Sequence, residues 1–170
     1  MNNSKPNEQE ALPNVFEYLK GTIPDLVSIA KQKRNDLVKL TLSKPTERQL
    51  ADLQSLGIDI DDKYVHTIDN FSIIHTFKQH GNAKTEASRG QIALADADFN
   101  RIPRIIEDYD GIGLDKNDRS QDVIIYSKTF EDGVTYYLEE VRVGRKELSM
   151  VTMYKRKLTG EPMPKNCLRF

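Results

Sequence analysis

All three histidines of this chain fall within fifteen residues: His66, His75 and His80, the last closing the string His75-Thr-Phe-Lys-Gln-His80-Gly81. Imidazole has the ordinary pKa nearest neutrality, so it is the natural group for moving a proton. Two chemistries compete for such a cluster. Metal-binding histidines on one helix usually sit at i and i+4, which returns them to one face. His75 and His80 are five apart, about 140° round a helix of 3.6 residues per turn. An ion would therefore need help from the helix end, with His66 and Asp69 as candidate ligands from the preceding turn. Proton transfer asks less of the spacing. His80 is expected in the last helical turn, exposed beside a polar loop. His75 lies towards Phe71 and Ile74 and reads as a partly buried, hydrogen-bonded side chain.

Other polar groups follow. The loop after His80 carries Glu86, Arg89 and Gln91 around Gly90, where a ligand could approach the backbone closely. The last predicted strand carries Thr152, Tyr154 and Lys155, and alternation puts Thr152 and Tyr154 on one face and Lys155 on the other. There is no glycine-rich phosphate loop, no cysteine cluster and no Gly-x-Ser-x-Gly elbow. ATP use, zinc fingers and hydrolase triads are therefore without support.

The elements that must position these groups change character along the chain. Residues 1–13 are polar and read as a flexible lead. Residues 14–58 read as a helical part. Pro24 suits a first helical turn ahead of Leu26, Val27, Ile29 and Ala30. Leu37 to Leu42 alternates as a short strand or an extended connection, and Thr46 and Gln49 are spaced as a capping box. Residues 59–157 read as the core: an acidic turn at 59–63, then a helix from about Asp69 to His80 ended by Gly81. After it come a polar loop to Gly90, a weak strand at 91–97, a helical piece from Asp98 to about Asp110 and a polar loop at 111–121. Three strands close the core, with a hairpin signal at Glu131-Asp132-Gly133. Residues 158–170 read as a tail. Helices first and a meander afterwards predict an α+β domain, with N-terminal helices packed on a twisted antiparallel sheet of three to four strands.

The bulk numbers narrow the setting. The 170 residues are 38% hydrophobic and 30% charged, with net charge −1, which suits one globular domain with a modest core. No apolar run approaches the roughly 18 residues of a membrane span. Met1 to Glu10 carries no hydrophobic stretch, and Cys167 is the sole cysteine, so a cytoplasmic location is expected. The chain as a whole lacks a nucleic-acid charge signature. Residues 141–170, however, hold eight basic residues against two acids, Glu147 and Glu161. Such an end could meet phosphates or could form a solvated strand edge.

The order of segments resembles a known family. The strings are His66-Thr-Ile-Asp69, Ile74-His75-x4-His80-Gly81, Glu86-x2-Arg89-Gly90-Gln91 and Asp98-x3-Ile102-Pro103-x-Ile105-Ile106, followed by a meander closing on Thr152-Met-Tyr154-Lys155. Over residues 60–157 they are similar to the phage-associated nuclease domains of the barnase–EndoU–colicin–RelE group. The resemblance implies a barnase/RelE-like α+β fold and a metal-independent endoribonuclease that binds RNA at its sheet and needs no cofactor. It implies tRNA or rRNA as targets, and an immunity or antitoxin protein as partner. Carried over by position, His80 would be one proton carrier and His75 or Glu86 the other. Arg89 and Lys155 would hold the phosphate and Thr152 would donate to it. Gln91, His66 and Tyr126 or Tyr154 would contact the substrate, the tyrosines by stacking on a base. Two other readings stay open: a non-catalytic RNA- or protein-binding module of a phage or mobile-element protein, and a histidine-metal hydrolase.

Overall fold

Short local signals set the helix starts. A computed structural model describes residues 16–158 and 167–169. Helix α1 (Ile23–Lys31) begins at Thr22, whose hydroxyl accepts from the Asp25 backbone N–H while the Asp25 carboxylate accepts from that of Thr22. Helix α2 (Glu47–Ser55) has the expected box between Thr46 and Gln49. Helix α3 (Asn70–His80) starts on Asp69, which accepts from the Ser72 N–H at 2.7 Å, and ends at Gly81. Each box satisfies N–H groups that a helix start leaves without partners.

Around them runs one mixed sheet, mostly antiparallel, in the order β1 (Phe16–Tyr18), β2 (Leu37–Thr41), β3 (Val65–Asp69), β8 (Glu147–Arg156), β7 (Gly133–Arg142), β6 (Asp122–Phe130), β5 (Gly111–Lys116), β9 (Cys167–Arg169). The β1–β2 and β3–β8 pairs are parallel. A two-residue β4 (Gln91–Ile92) pairs with the far end of β8. Between these two partners α3 covers the edge of β8, where the Ser72 hydroxyl donates to the Met150 carbonyl at 2.8 Å. Leu26, Leu53, Ile73, Ile102 and Ile105 are fully buried with Ile124 and Leu148 of the sheet. Each such side chain contributes about 2–3 kcal/mol of burial. This is the expected α+β arrangement.

Several local expectations change. The stretch 14–58 holds β1 and β2 as well as helices. Residues 83–88 of the expected loop form a helix, α4 (Ala83–Ser88), capped by the Asn82 side chain. The strand at 91–97 shrinks to Gln91–Ile92 and leads to a 3₁₀ turn (Asp96–Arg101) and α5 (Ile102–Glu107). The expected loop at 111–121 supplies β5, so the meander has four strands. Gly111 and Gly113 are poor strand formers, but pairing with β6 overrides that preference. The expected lead 1–13 lies outside the described residues. So does most of the expected tail, of which residues 158 and 167–169 are described.

A bulge decides what the last strand shows to each side. The register slips between Leu138 and Glu139, which face Thr152 and Met150, so Val151 is the extra residue. Before it Leu148 and Met150 face the helices. After it Met153 and Lys155 do, sharing that inner face with Tyr137 and Thr135. Thr152, Tyr154 and Arg156 are turned to the outer face.

Lys155 therefore corrects one expectation. It is 5% exposed, with Nζ 3.1 Å from Asp98 and 2.9 Å from Asp132, and Arg101 also reaches Asp132 at 2.8 Å. It is a structural cation across the sheet from Tyr154, not a phosphate ligand beside His80. Partial burial raises the Asp132 carboxyl, but the Arg101 and Lys155 cations outweigh this and hold its pKa at about 2. The ordinary value is about 3.9. The folded value is the lower one, so Asp132 adds stability above pH about 4 that is lost as pH falls through about 2. Asp132→Asn removes this contribution. In urea melts from pH 6 to pH 2, the gap between wild type and variant is expected to shrink with acid. A gap that stays constant would show that the carboxylate does not carry the effect. The side chain is 42% exposed, so solvent screening keeps the gap small.

Candidate active site

The three histidines go to three different places. His66, on β3, is fully buried on the inner face. Its Nδ1 lies 2.6 Å from a Glu139 carboxylate oxygen and its Nε2 3.1 Å from the Gln49 amide, which in turn reaches the Tyr126 hydroxyl at 3.4 Å. Tyr126 is also fully buried and packs between Tyr109 and Tyr137. Burial first, and then the charge of Glu139, raise the Tyr126 and Tyr137 phenols well above their ordinary value. Neither His66 nor Tyr126 can touch a base from here, which corrects both expected substrate contacts. The sequence places these residues on strands, but not on the side that α2 covers.

His75 is exposed, on the same outward stripe of α3 as the 41%-exposed Phe71. It is neither the partly buried side chain expected from its neighbours nor a companion of His80. The inward stripe is Ile73, Thr76 and His80. Three rings that point to the core, to solvent and to β8 do not converge on one ion. Among the described residues no group of three His, Cys, Asp or Glu is arranged to hold a metal.

His80 is held differently. It ends α3, its side chain is 11% exposed, and Nδ1 lies 3.0 Å from a carboxylate oxygen of the fully buried Glu86 on α4. The other Glu86 oxygen accepts from Arg89 at 3.0 Å, and the same guanidinium nitrogen donates to the Gln79 carbonyl at 3.0 Å. A cation closing the carbonyl end of α3 opposes the helix dipole favourably. The expected loop therefore does hold the imidazole, but through a short helix: Asn82 starts α4, and one turn later Glu86 reaches back to His80. Nε2 of His80 makes no hydrogen bond to any described residue.

On the outer face the His80 ring lies 5.5 Å from the Tyr154 ring, centroid to centroid. Tyr154 stacks on Tyr136, its partner across β7, at 5.1 Å and 15°. Arg156 lies about 6 Å from both rings, at 6.0 Å from Tyr136 and 5.8 Å from Tyr154. Thr152 shares this face, half-buried, and takes a long hydrogen bond of 3.4 Å from Thr76. Gln91 faces Arg156 across the β4–β8 pair. The structure thus brings together His80, Glu86, Arg89, Gln91, Thr152 and Tyr154, and leaves out His66, His75, Tyr126 and Lys155. Tyr136 and Arg156 were missed. Alternation from Tyr154 reaches Arg156, but Tyr136 needs the β7–β8 register. Among the described residues the basic C-terminal stretch does not form one patch: Lys155 is buried, Arg142 pairs with Glu140 and Lys146 approaches Asp61 at 3.8 Å.

The site has an imidazole held by a buried carboxylate, a guanidinium on that same carboxylate and, on the outer sheet face, Tyr154 stacked on the buried Tyr136. That arrangement suits phosphodiester chemistry on a single-stranded nucleic acid. No helix among the described residues is long and apolar enough to cross a membrane. No curated protein and no solved structure matches the chain. A family model does match, over residues 43–160, which adds α2 and its capping box to the span expected from the motifs. By that match over more than half its length, the chain belongs to the nuclease family described as phage-Barnase-EndoU-ColicinE5/D-RelE like nuclease3, whose substrates are nucleic acids.

Proposed function

We propose that this chain is a metal-independent endoribonuclease in which His80 moves the proton of the ribose 2′-hydroxyl. The observation that carries this reading is the His80–Glu86–Arg89 relay beside the outer-face tyrosines. A carboxylate at Nδ1 favours the tautomer with its proton there, which leaves the Nε2 lone pair as the base. Nε2 takes the 2′-hydroxyl proton, the 2′-oxygen bonds to phosphorus, and the bond from phosphorus to the 5′-oxygen breaks. The leaving oxygen takes a proton from the Tyr154 hydroxyl, which solvent restores. The products are a 2′,3′-cyclic phosphate and a 5′-hydroxyl. Arg89, with its side chain 47% exposed, and Arg156 bring positive charge to the crowded phosphate, and Thr152 donates a hydrogen bond to it. Glu86 is a positioning residue, since a fully buried carboxylate between His80 and Arg89 has no route to substrate.

Incubation with bulk tRNA and rRNA in EDTA tests this. Defined fragments ending in cyclic phosphate are expected. RNA retarded on a gel but left intact would overturn catalysis in favour of a binding module. Fragments that form only when a divalent ion is added would overturn the metal-independent mechanism.

A further inference from the structure

We propose that the groove between the end of α1 and the outward flank of α3 is a docking surface for an acidic segment of a partner protein that brings apolar side chains. The proposal stands apart from the nuclease reading. The two helices border an open hollow of about 630 Å³, floored by Ala30, Ile74 and Phe77. Phe71 extends this floor one turn along α3, and at 41% it is one of three large hydrophobic side chains left exposed among the described residues. Clustered exposed apolar side chains rimmed by charge mark partner sites. The Phe77 ring has Phe99 at 4.9 Å and the Lys31 ammonium over it, which favours an aliphatic side chain here over a stacked base.

The rim sets the sign of the charge. Lys31 reaches Asp96 at 2.5 Å and Arg34 reaches Asp36 at 2.5 Å, so those two pairs cancel. Lys33 and Lys78 also line the hollow; both are exposed, and neither meets a carboxylate among the described residues. Two ammonium groups are therefore in surplus beside an apolar floor, which an acidic amphipathic segment complements. The backbone at Lys33 adds a second observation. It closes α1 with a φ of 55°, the left-handed conformation that glycine adopts most readily. Its N–H donates to the Ala30 carbonyl as that of glycine would, so what lysine adds at this position is the ammonium group. The occupant would leave the catalytic face open. Two residues along a helix are about 200° of rotation, so Lys78 and His80 point nearly opposite ways.

The test uses the full chain and a fluorescein-labelled synthetic peptide of about four helical turns, with leucine at i, i+3, i+4 and i+7 and glutamate elsewhere. In ¹⁵N spectra it is expected to move the backbone amides of residues 30–34 and 74–78 and to leave those of Tyr154 and Arg156 still. By fluorescence anisotropy, Lys33→Gly is expected to weaken binding about threefold, and Lys33→Gly with Lys78→Gln about tenfold, the range of exposed charge pairs. Lys33→Gly should melt no lower than wild type, which separates binding from folding. Equal binding of a peptide with serine for leucine would reduce the contact to charge attraction and overturn the proposal. Equal binding with lysine for glutamate would overturn the charge argument. Oligouridine that moves the same amides and displaces the peptide would make this a nucleic-acid surface instead. RNA cleavage is expected to continue at the same rate under saturating peptide, and its loss would overturn the separate placement. If RNA is never cut but these amides move, the nuclease reading fails and the groove stands.

Discussion

Replacing His80 by alanine is expected to lower kcat/KM for RNA by about 10²–10⁴-fold, the usual contribution of one general acid–base group. The effect should fall mainly on kcat, because no other imidazole can substitute: His66 is sealed in the core and His75 faces away from β8. The 11% exposure of the His80 side chain means that truncation also takes a partner from Glu86, and some stability goes with it. His80→Gln separates the two effects. Its amide can still donate to Glu86, so the fold is kept, but it cannot accept a proton from the 2′-hydroxyl. Both variants should lose activity while His80→Gln melts close to wild type. A folded His80→Gln protein that cuts RNA at the wild-type rate would remove His80 from the mechanism.

The opposite result is expected at His66. With leucine there, Glu139 loses its 2.6 Å partner in a place where both side chains are 0% exposed. Removing the partner of a fully buried, hydrogen-bonded carboxyl costs about 3 kcal/mol or more, because the group is left unsatisfied. Total stability of a domain this size is about 5–15 kcal/mol, so the melting temperature is expected to fall by roughly 10 °C. Changing both residues, His66→Leu with Glu139→Met, should recover most of the loss, since an apolar pair of similar volume avoids the desolvation penalty. Thermal melts of the single and double variants check this. A single variant as stable as wild type would mean that the pair contributes nothing. Per folded molecule, RNA cleavage by the single variant should be near normal, which distinguishes it from any His80 variant.

Local chemistry was readable ahead of the structure wherever neighbours in sequence decide it. The capping box at Thr46 and Gln49, the Asp69 start and Gly81 end of α3, the sharing of one face by Thr152 and Tyr154 and the turn before Gly133 depend on contacts within a few residues. The family strings were readable for the same reason, and the matched span confirms their identification. Elements stabilised from a distance were not. Strand β5 is rich in glycine and forms because β6 and β9 supply its partners. Helix α4 has no apolar stripe, and its buried residue is the carboxylate that meets His80.

What the sequence determined by itself is therefore the inventory: an α+β chain of this nuclease family, with imidazole, carboxylate, guanidinium and phenol groups strung between His66 and Arg156. The tertiary structure decided which of them meet. A histidine on a strand or helix has a face, but whether that face is core or cleft depends on what packs against it. Helix α2 buried His66 against Glu139, and α4 folded back to hold His80. One extra residue at Val151 reversed the alternation of β8, so that Lys155 went inside and Tyr154 and Arg156 came out. A strand's period of two makes that single insertion enough to exchange its faces.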